Sequence, residues 1–201
     1  MLFRSAYLRE ALAGESLDPA QLLAWKETLS TFAPENSEYT FSPISCFFTS
    51  YYSDPRDLDL AEFLRYCPLA ESVEDEKEFD ALQVDWEIGE GEDRHYATLD
   101  EMPVPTHRYR VPRINEVLRQ YAGITLDDMH TDWRSAGEPP YLPEYDAFYN
   151  FTSDFGPGVF EPTSGTQTGD LVTLRSAHAE LRLQVLGGDA FHILSYQPLG
   201  A

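Results

Sequence analysis

Cysteine is nearly absent from this chain. Cys46 and Cys67 are the only two, 21 positions apart, which excludes a disulfide framework and leaves no C-x-x-C metal or redox pair. Spacing alone does not decide whether they meet. Positive charge is scarce as well: 14 Lys and Arg stand against 35 Asp and Glu, a formal net charge of -21. Binding to a phosphate backbone depends on clustered Lys and Arg, so nucleic acid and anionic membrane are not expected as direct partners. No run of about 18 apolar residues occurs, and no membrane insertion is expected.

The motifs of common chemistries are missing too. The five histidines, His95, His107, His130, His178 and His192, occur singly, with no H-x-x-x-H or H-E-x-x-H spacing to set two imidazoles on one helical face. There is no G-x-S-x-G elbow, no G-x-G-x-x-G and no Walker-type loop; Gly89-Glu-Gly91 sits among acids that repel phosphate. The acidic stretch lacks the D-x-D-x-D-G order of a calcium loop. No metal, cofactor or catalytic residue is therefore assigned, although a triad can assemble from distant residues.

What is present points to a folded domain. The 201 residues are 42% hydrophobic and 13% aromatic, including 12 Tyr and 12 Phe, whereas disordered chains are poor in aromatics. The expectation is one α+β domain over 1–201, with N-terminal helices packed on one face of a C-terminal antiparallel β-meander.

Helix signals fill the first two thirds. Asp18-Pro19 with Gln21 reads as a capping box, followed by Leu22, Trp25, Leu29 and Phe32 on one face. Asp54-Pro55 and Ser72 begin two short helices, carrying Leu60, Phe63 and Leu64, and then Phe79 and Leu82. Pro112 opens a helix with Ile114, Val117, Leu118 and Tyr121 at helical spacing, and Gly123 stops it. The aromatic run Phe41 to Tyr52 is open between strand and buried irregular segment, and Met102 to Val111 reads as extended.

Beyond Glu144 the period changes to two. Tyr145 to Phe151, Asp170 to Ser176, Glu180 to Leu186 and Ala190 to Tyr196 read as strands, and Gly187-Gly188-Asp189 as a hairpin turn.

Charge is distributed unevenly. Thirteen acids lie between Glu71 and Glu101 against only Lys77 and Arg94, and the stretch around 87–94 reads as an exposed acidic loop. Arg108, Arg110, Arg113 and Arg119 follow it, and internal pairing with the acids upstream is the economical reading.

The most distinctive segment is Tyr145 to Phe160, six aromatics with Ser153, Asp154 and a Gly-Pro-Gly turn. Tyr145, Tyr149, Asp154 and Phe155 are the candidate ligand-binding residues, because aromatic walls with few polar groups are typical of pockets. The plainer role for Asp154 is to cap that turn.

Several blocks resemble an uncharacterised family of small proteins from anaerobic gut bacteria, some of them lipoprotein-like. They are Phe47-Phe-Thr-Ser-Tyr-Tyr, Asp57-Leu-Asp-Leu-Ala-Glu-Phe-Leu-Arg-Tyr66, Asp100-Glu-Met-Pro-Val-Pro-Thr-His107, Tyr121-Ala-Gly-Ile-Thr-Leu-Asp-Asp128 and Tyr149-Asn-Phe-Thr-Ser-Asp-Phe-Gly-Pro-Gly158. The resemblance implies no substrate or cofactor. Met1 to Glu10, with Arg4, Arg9 and Glu10, reads as helix and not as an export signal, so the cytoplasm is the default location. An extracytoplasmic lipoprotein is the alternative the resemblance implies, should the natural start lie upstream.

The functional expectation is a non-enzymatic binding module with a protein or peptide partner, a basic one matching the charge. The alternatives are a hydrolase-like enzyme built on Asp154, Tyr149 and His107 or His192, and a cell-envelope accessory domain.

Overall fold

The structure, a computed structural model, describes residues 14–32, 41–86, 94–151 and 156–200, with the backbone only at Trp86 and Arg94. The chain begins with β1 (Glu15–Ser16), α1 (Pro19–Thr28), and 3₁₀ turns at Pro43–Phe48 and Pro55–Asp57. Next come α2 (Leu60–Arg65), β2 (Glu71–Ser72), α3 (Glu76–Leu82), β3 (Asp85–Trp86), β4 (Arg94–His95) and β5 (Thr106–Arg110). Then follow α4 (Val111–Ala122), β6 (Tyr141–Leu142), β7 (Ala147–Phe151), β8 (Ser164–Thr168), β9 (Leu171–Arg175), β10 (Ala179–Gly187) and β11 (Ala190–Pro198). The fold is α+β with antiparallel sheets, strands dominating the C-terminal part.

The larger sheet has the order β1-β8-β9-β10-β11, so its last four strands form a meander of successive hairpins. Gly188 opens the turn between β10 and β11 at φ 60, the left-handed conformation that a two-residue hairpin asks of its first central residue. Leu181 and Leu183 of β10 alternate with Arg182 and Gln184, and the leucines join Val172, Leu174, Phe191 and Ile193 in the main core. Helices roof this face: the Trp25 ring of α1 meets Phe191 edge-on at 5.5 Å, and Tyr121 of α4 lies 6.2 Å from the same ring.

The smaller sheet has the order β2-β5-β7-β6 and is buried on both faces. Tyr109 and Phe148 belong to the main core, whereas Ala147 and Tyr149 join a second cluster with Val73, Phe79, Val84 and Tyr96. That is why Ala147-Phe148-Tyr149 is a continuous buried run. The strand read at 145–151 therefore pairs with β5 and not with the meander. Two short strands, β3 and β4, pair on their own, and the acidic stretch 87–93 between them lies outside the described residues.

Local signals explain most helix ends. Asp18 Oδ1 accepts from the N–H groups of Ala20 and Gln21, and Gln21 Oε1 accepts from Asp18 N–H at 2.9 Å, closing the capping box of α1. Asp59 caps α2 and Asp75 caps α3, the latter in place of the expected Ser72, which is drawn into β2. Phe32 lies past the end of α1 and is 56% exposed, departing from the buried face expected for it. Among the described residues, no helix is long and apolar enough to cross a membrane.

Candidate functional site

Two adjoining cavities of about 330 and 500 Å³ run along α2, and Ala61 and Glu138 line both. Together they form one groove. One wall is the segment from Asp57 through Arg65, and the other is the 131–140 loop, which ends in a cis Glu138-Pro139 bond and Pro140. The far end is closed by Asp85 of β3 and by β7 around Asn150.

Each wall is held from behind. The indole of Trp133 is buried and donates from Nε1 to the carbonyl of Leu126 at 2.9 Å, while its ring meets Tyr141 edge-on at 5.1 Å and Phe148 at a tilt at 5.3 Å. This anchors the loop to the small sheet. On the opposite side, the Asn150 amide Nδ2 donates to the Leu64 carbonyl and to Tyr109 Oη, both at 3.0 Å, tying β7 to the end of α2. Asn150 Oδ1 is shielded from solvent and has no hydrogen-bond partner among the described residues.

The charge of the groove is one-sided. Asp57, Asp59, Asp85 and Glu138 line it against the single guanidinium of Arg65, which is drawn to Glu62 at 2.7 Å. Asp57 Oδ1 lies 2.7 Å from His130 Nδ1, and Asp85 Oδ1 lies 2.9 Å from His95 Nδ1. Asp59 accepts from the Glu62 N–H as the helix cap. Glu138 is exposed and has no ion-pair partner among the described residues. Just outside, Arg56 hydrogen-bonds Asp54 and lowers its pKa to about 2.

Chemically the groove offers acceptors. Among the described residues, no Ser, Thr or Cys is hydrogen-bonded to His130 or His95. No three His, Cys, Asp or Glu of the described residues converge as a metal site. What remains is a set of carboxylate oxygens that can accept from N–H donors, beside Pro139 and Pro140.

Of the four residues singled out in the sequence, Tyr149 lines the 500 Å³ cavity beside Asn150 and Phe151, although its ring turns inward. Tyr149 is fully buried on the sheet face opposite Asn150, and its hydroxyl donates to Glu78 Oε1 at 2.6 Å. Burial, reinforced by that carboxylate, pushes its pKa up. Tyr145 is half-buried against the second cluster. Asp154 and Phe155 lie outside the described residues. Farther along the same segment, Phe160 packs between Phe48 and Tyr196. Gly158 lies so close to the 43–48 turn that a Cβ there would meet the Ser45 carbonyl at 2.5 Å. Of the described aromatics of 145–160, Tyr149 and Phe151 line the groove, and Tyr145, Phe148 and Phe160 pack in the two cores.

The two histidines considered for chemistry are separated. His107 sits on β5 opposite Asn150, on the sheet face away from Tyr149, and His192 packs against Gly123 at the end of α4. Half of the basic stretch pairs with the acids upstream as expected: Arg108 binds Glu78 at 2.8 Å and Glu71 at 2.8 Å, and Arg110 binds Glu71 at 3.1 Å, whereas Arg113 pairs with Glu116 on its own helix. Desolvation penalises the Glu71 charge, but these arginine bonds outweigh it and hold its pKa below the usual value.

The groove residues carried no signal of their own in the sequence. Asp57 and Asp59 fall inside the short helix read from Asp54-Pro55, and no fixed spacing links positions 57, 85, 138 and 150. Only the packing of α2 and the 131–140 loop around the small sheet brings them together.

Comparison of the chain with protein-family models, curated proteins and solved structures finds no match.

Proposed function

We infer that the protein is a non-catalytic binding module whose groove along α2 receives an extended, Lys- or Arg-bearing segment of a partner protein. The observation that carries this reading is the concentration of Asp57, Asp59, Asp85 and Glu138 along one continuous groove braced on both sides. Its two cavities have the size of ordinary ligand sites. The chain's net charge of -21 adds long-range attraction for a cationic partner and speeds encounter at low salt. The groove carboxylates then fix where the cation settles.

The test separates local recognition from net charge. A short Lys/Arg-rich peptide is titrated calorimetrically into the wild-type protein, the double variant D57N/E138Q, and a control D170N/D189N that removes the same charge from the edges of the meander. The expected result is an affinity loss of about tenfold for the groove variant, two exposed pairs at under ~1 kcal/mol each, with little change in the control. Equal loss in both variants, or no binding at low salt, overturns the reading.

A further inference from the structure

We propose that the partner segment is held by strand addition, its backbone pairing with the open edge of β7 at Phe151 as a continuation of β6. This rests on the groove reading above and adds the mode of attachment. β7 has β5 on one side and β6 on the other. The side of β6 is only partly occupied. Tyr141 and Leu142 lie opposite Phe148 and Ala147, and the Tyr149 N–H donates to the Pro140 carbonyl at 2.9 Å. There the ladder stops, because Pro140 and Pro139 have no N–H to give back.

Along a strand, the peptide groups of residues two apart point the same way. The Tyr149 N–H is turned toward β6, so the N–H and carbonyl of Phe151 are turned to that side as well. The opposite side agrees. Phe151 lies across from Thr106, whose carbonyl accepts from the Val73 N–H at 3.2 Å and therefore faces away from β7. Among the described residues, no hydrogen bond reaches the N–H or the carbonyl of Phe151. Phe151 is half-buried and lines the 500 Å³ cavity together with Glu138, Pro139 and Pro140.

A second strand edge belongs to the same cavity. The Val84 carbonyl accepts from the Tyr96 N–H at 3.0 Å, so the next residue, Asp85 of β3, turns its N–H and carbonyl away from β4. These too are unpaired among the described residues, and Asp85 lines the cavity. An unpaired edge is a template for another extended chain. One residue of an antiparallel strand supplies what Phe151 lacks, accepting from its N–H and donating to its carbonyl. Charge selects the occupant: Asp85 and Glu138 flank the edge, which suits a Lys- or Arg-bearing segment and repels a second copy of this chain at -21.

The probe is hexalysine with blocked ends, set against the same peptide N-methylated at every lysine backbone nitrogen, which keeps the charge and removes those N–H donors. Calorimetric titration is expected to give an affinity about tenfold lower for the methylated peptide. Amide hydrogen exchange, read by NMR on the isotope-labelled protein, locates the contact. With roughly nine-tenths of the protein occupied by hexalysine, the Phe151 amide should exchange about tenfold more slowly, because only the free tenth exchanges. The amide of Asp189, in the hairpin turn of the larger sheet, should keep its rate. Equal affinities for the two peptides, an unchanged Phe151 rate, or equal slowing at Asp189 each overturn strand addition. If D57N/E138Q still weakens hexalysine binding in those cases, the groove reading survives without it. No binding of hexalysine at low salt overturns both.

Discussion

A carboxylate taken out of water must have both oxygens satisfied, and Glu78 meets that demand across a strand pair. It is 2% exposed; Oε1 accepts from Tyr149 Oη at 2.6 Å and Oε2 from Arg108 Nη1 at 2.8 Å. Arg108 in turn donates from Nε and Nη2 to Glu71, so one guanidinium bridges two acids on different elements. Removing Glu78 leaves the buried phenol and Arg108 Nη1 without their acceptor, although Glu71 still holds the other side of the guanidinium. Glu78→Ala is expected to cost about 3–5 kcal/mol. Tyr149→Phe, which leaves only one carboxylate oxygen short of a donor, should cost about 1–3 kcal/mol. Urea unfolding of the two variants checks the order, and equal costs would contradict it. The pairing of Arg108 and Arg110 with acids upstream was legible as charge complementarity in the sequence. The place of Tyr149 was not, because its partner is 71 positions away and nothing local announces a buried acid.

At the scale of elements, the ends of helices and the tight turns were the readable parts, since caps depend on a few neighbouring residues. The capping box at Asp18 and Gln21, the stop at Gly123 and the glycine turn at 187–188 all take the form their residues dictate. Strand β8, Ser164-Gly-Thr-Gln-Thr, was missed because its polar, glycine-bearing sequence looks like loop; its strand state comes from pairing with β9 and β1. The aromatic run at 41–52 contains a 3₁₀ turn at Pro43–Phe48 whose hydrophobicity shows no period, because Ile44 to Phe48 are all buried. Gly123 also joins two elements. It adopts φ 67, and a Cβ there would come within 2.4 Å of the His192 ring on β11. Gly123→Ala should therefore cost about 1–2 kcal/mol from the left-handed backbone, plus whatever is needed to move the imidazole. In a His192→Ala background the cost should fall to the backbone part alone. Thermal unfolding of the four proteins in this cycle measures the difference, and an unchanged cost would mean that His192 yields freely.

Over the whole molecule, the α+β class and the roofed meander followed from the change of hydrophobic period, whereas the second sheet, drawing strands from both sides of α4, required long-range pairing that no local pattern encodes. The same double core governs the response to alkali. Tyr52, Tyr109, Tyr149 and Tyr196 all have raised pKa values with desolvation as the leading cause, Tyr196 to about 12. In the unfolded chain a tyrosine ionises near ~10. A raised folded value means that the native state holds the proton more tightly. The resulting stability is complete below about pH 10 and is lost as pH climbs toward the folded values. Rising pH also deepens a net charge already at -21, so self-repulsion acts in the same direction. Unfolding between about pH 10 and 12 is therefore expected to be steep, and added salt should move it to higher pH by screening the repulsion. Tyrosinate absorbance and far-ultraviolet circular dichroism, followed together, distinguish the outcomes. Exposed tyrosines should titrate first with the dichroism intact, and the buried ones only as it collapses. If all tyrosines ionise together near their ordinary value while the dichroism persists, the four phenols are not packed as described.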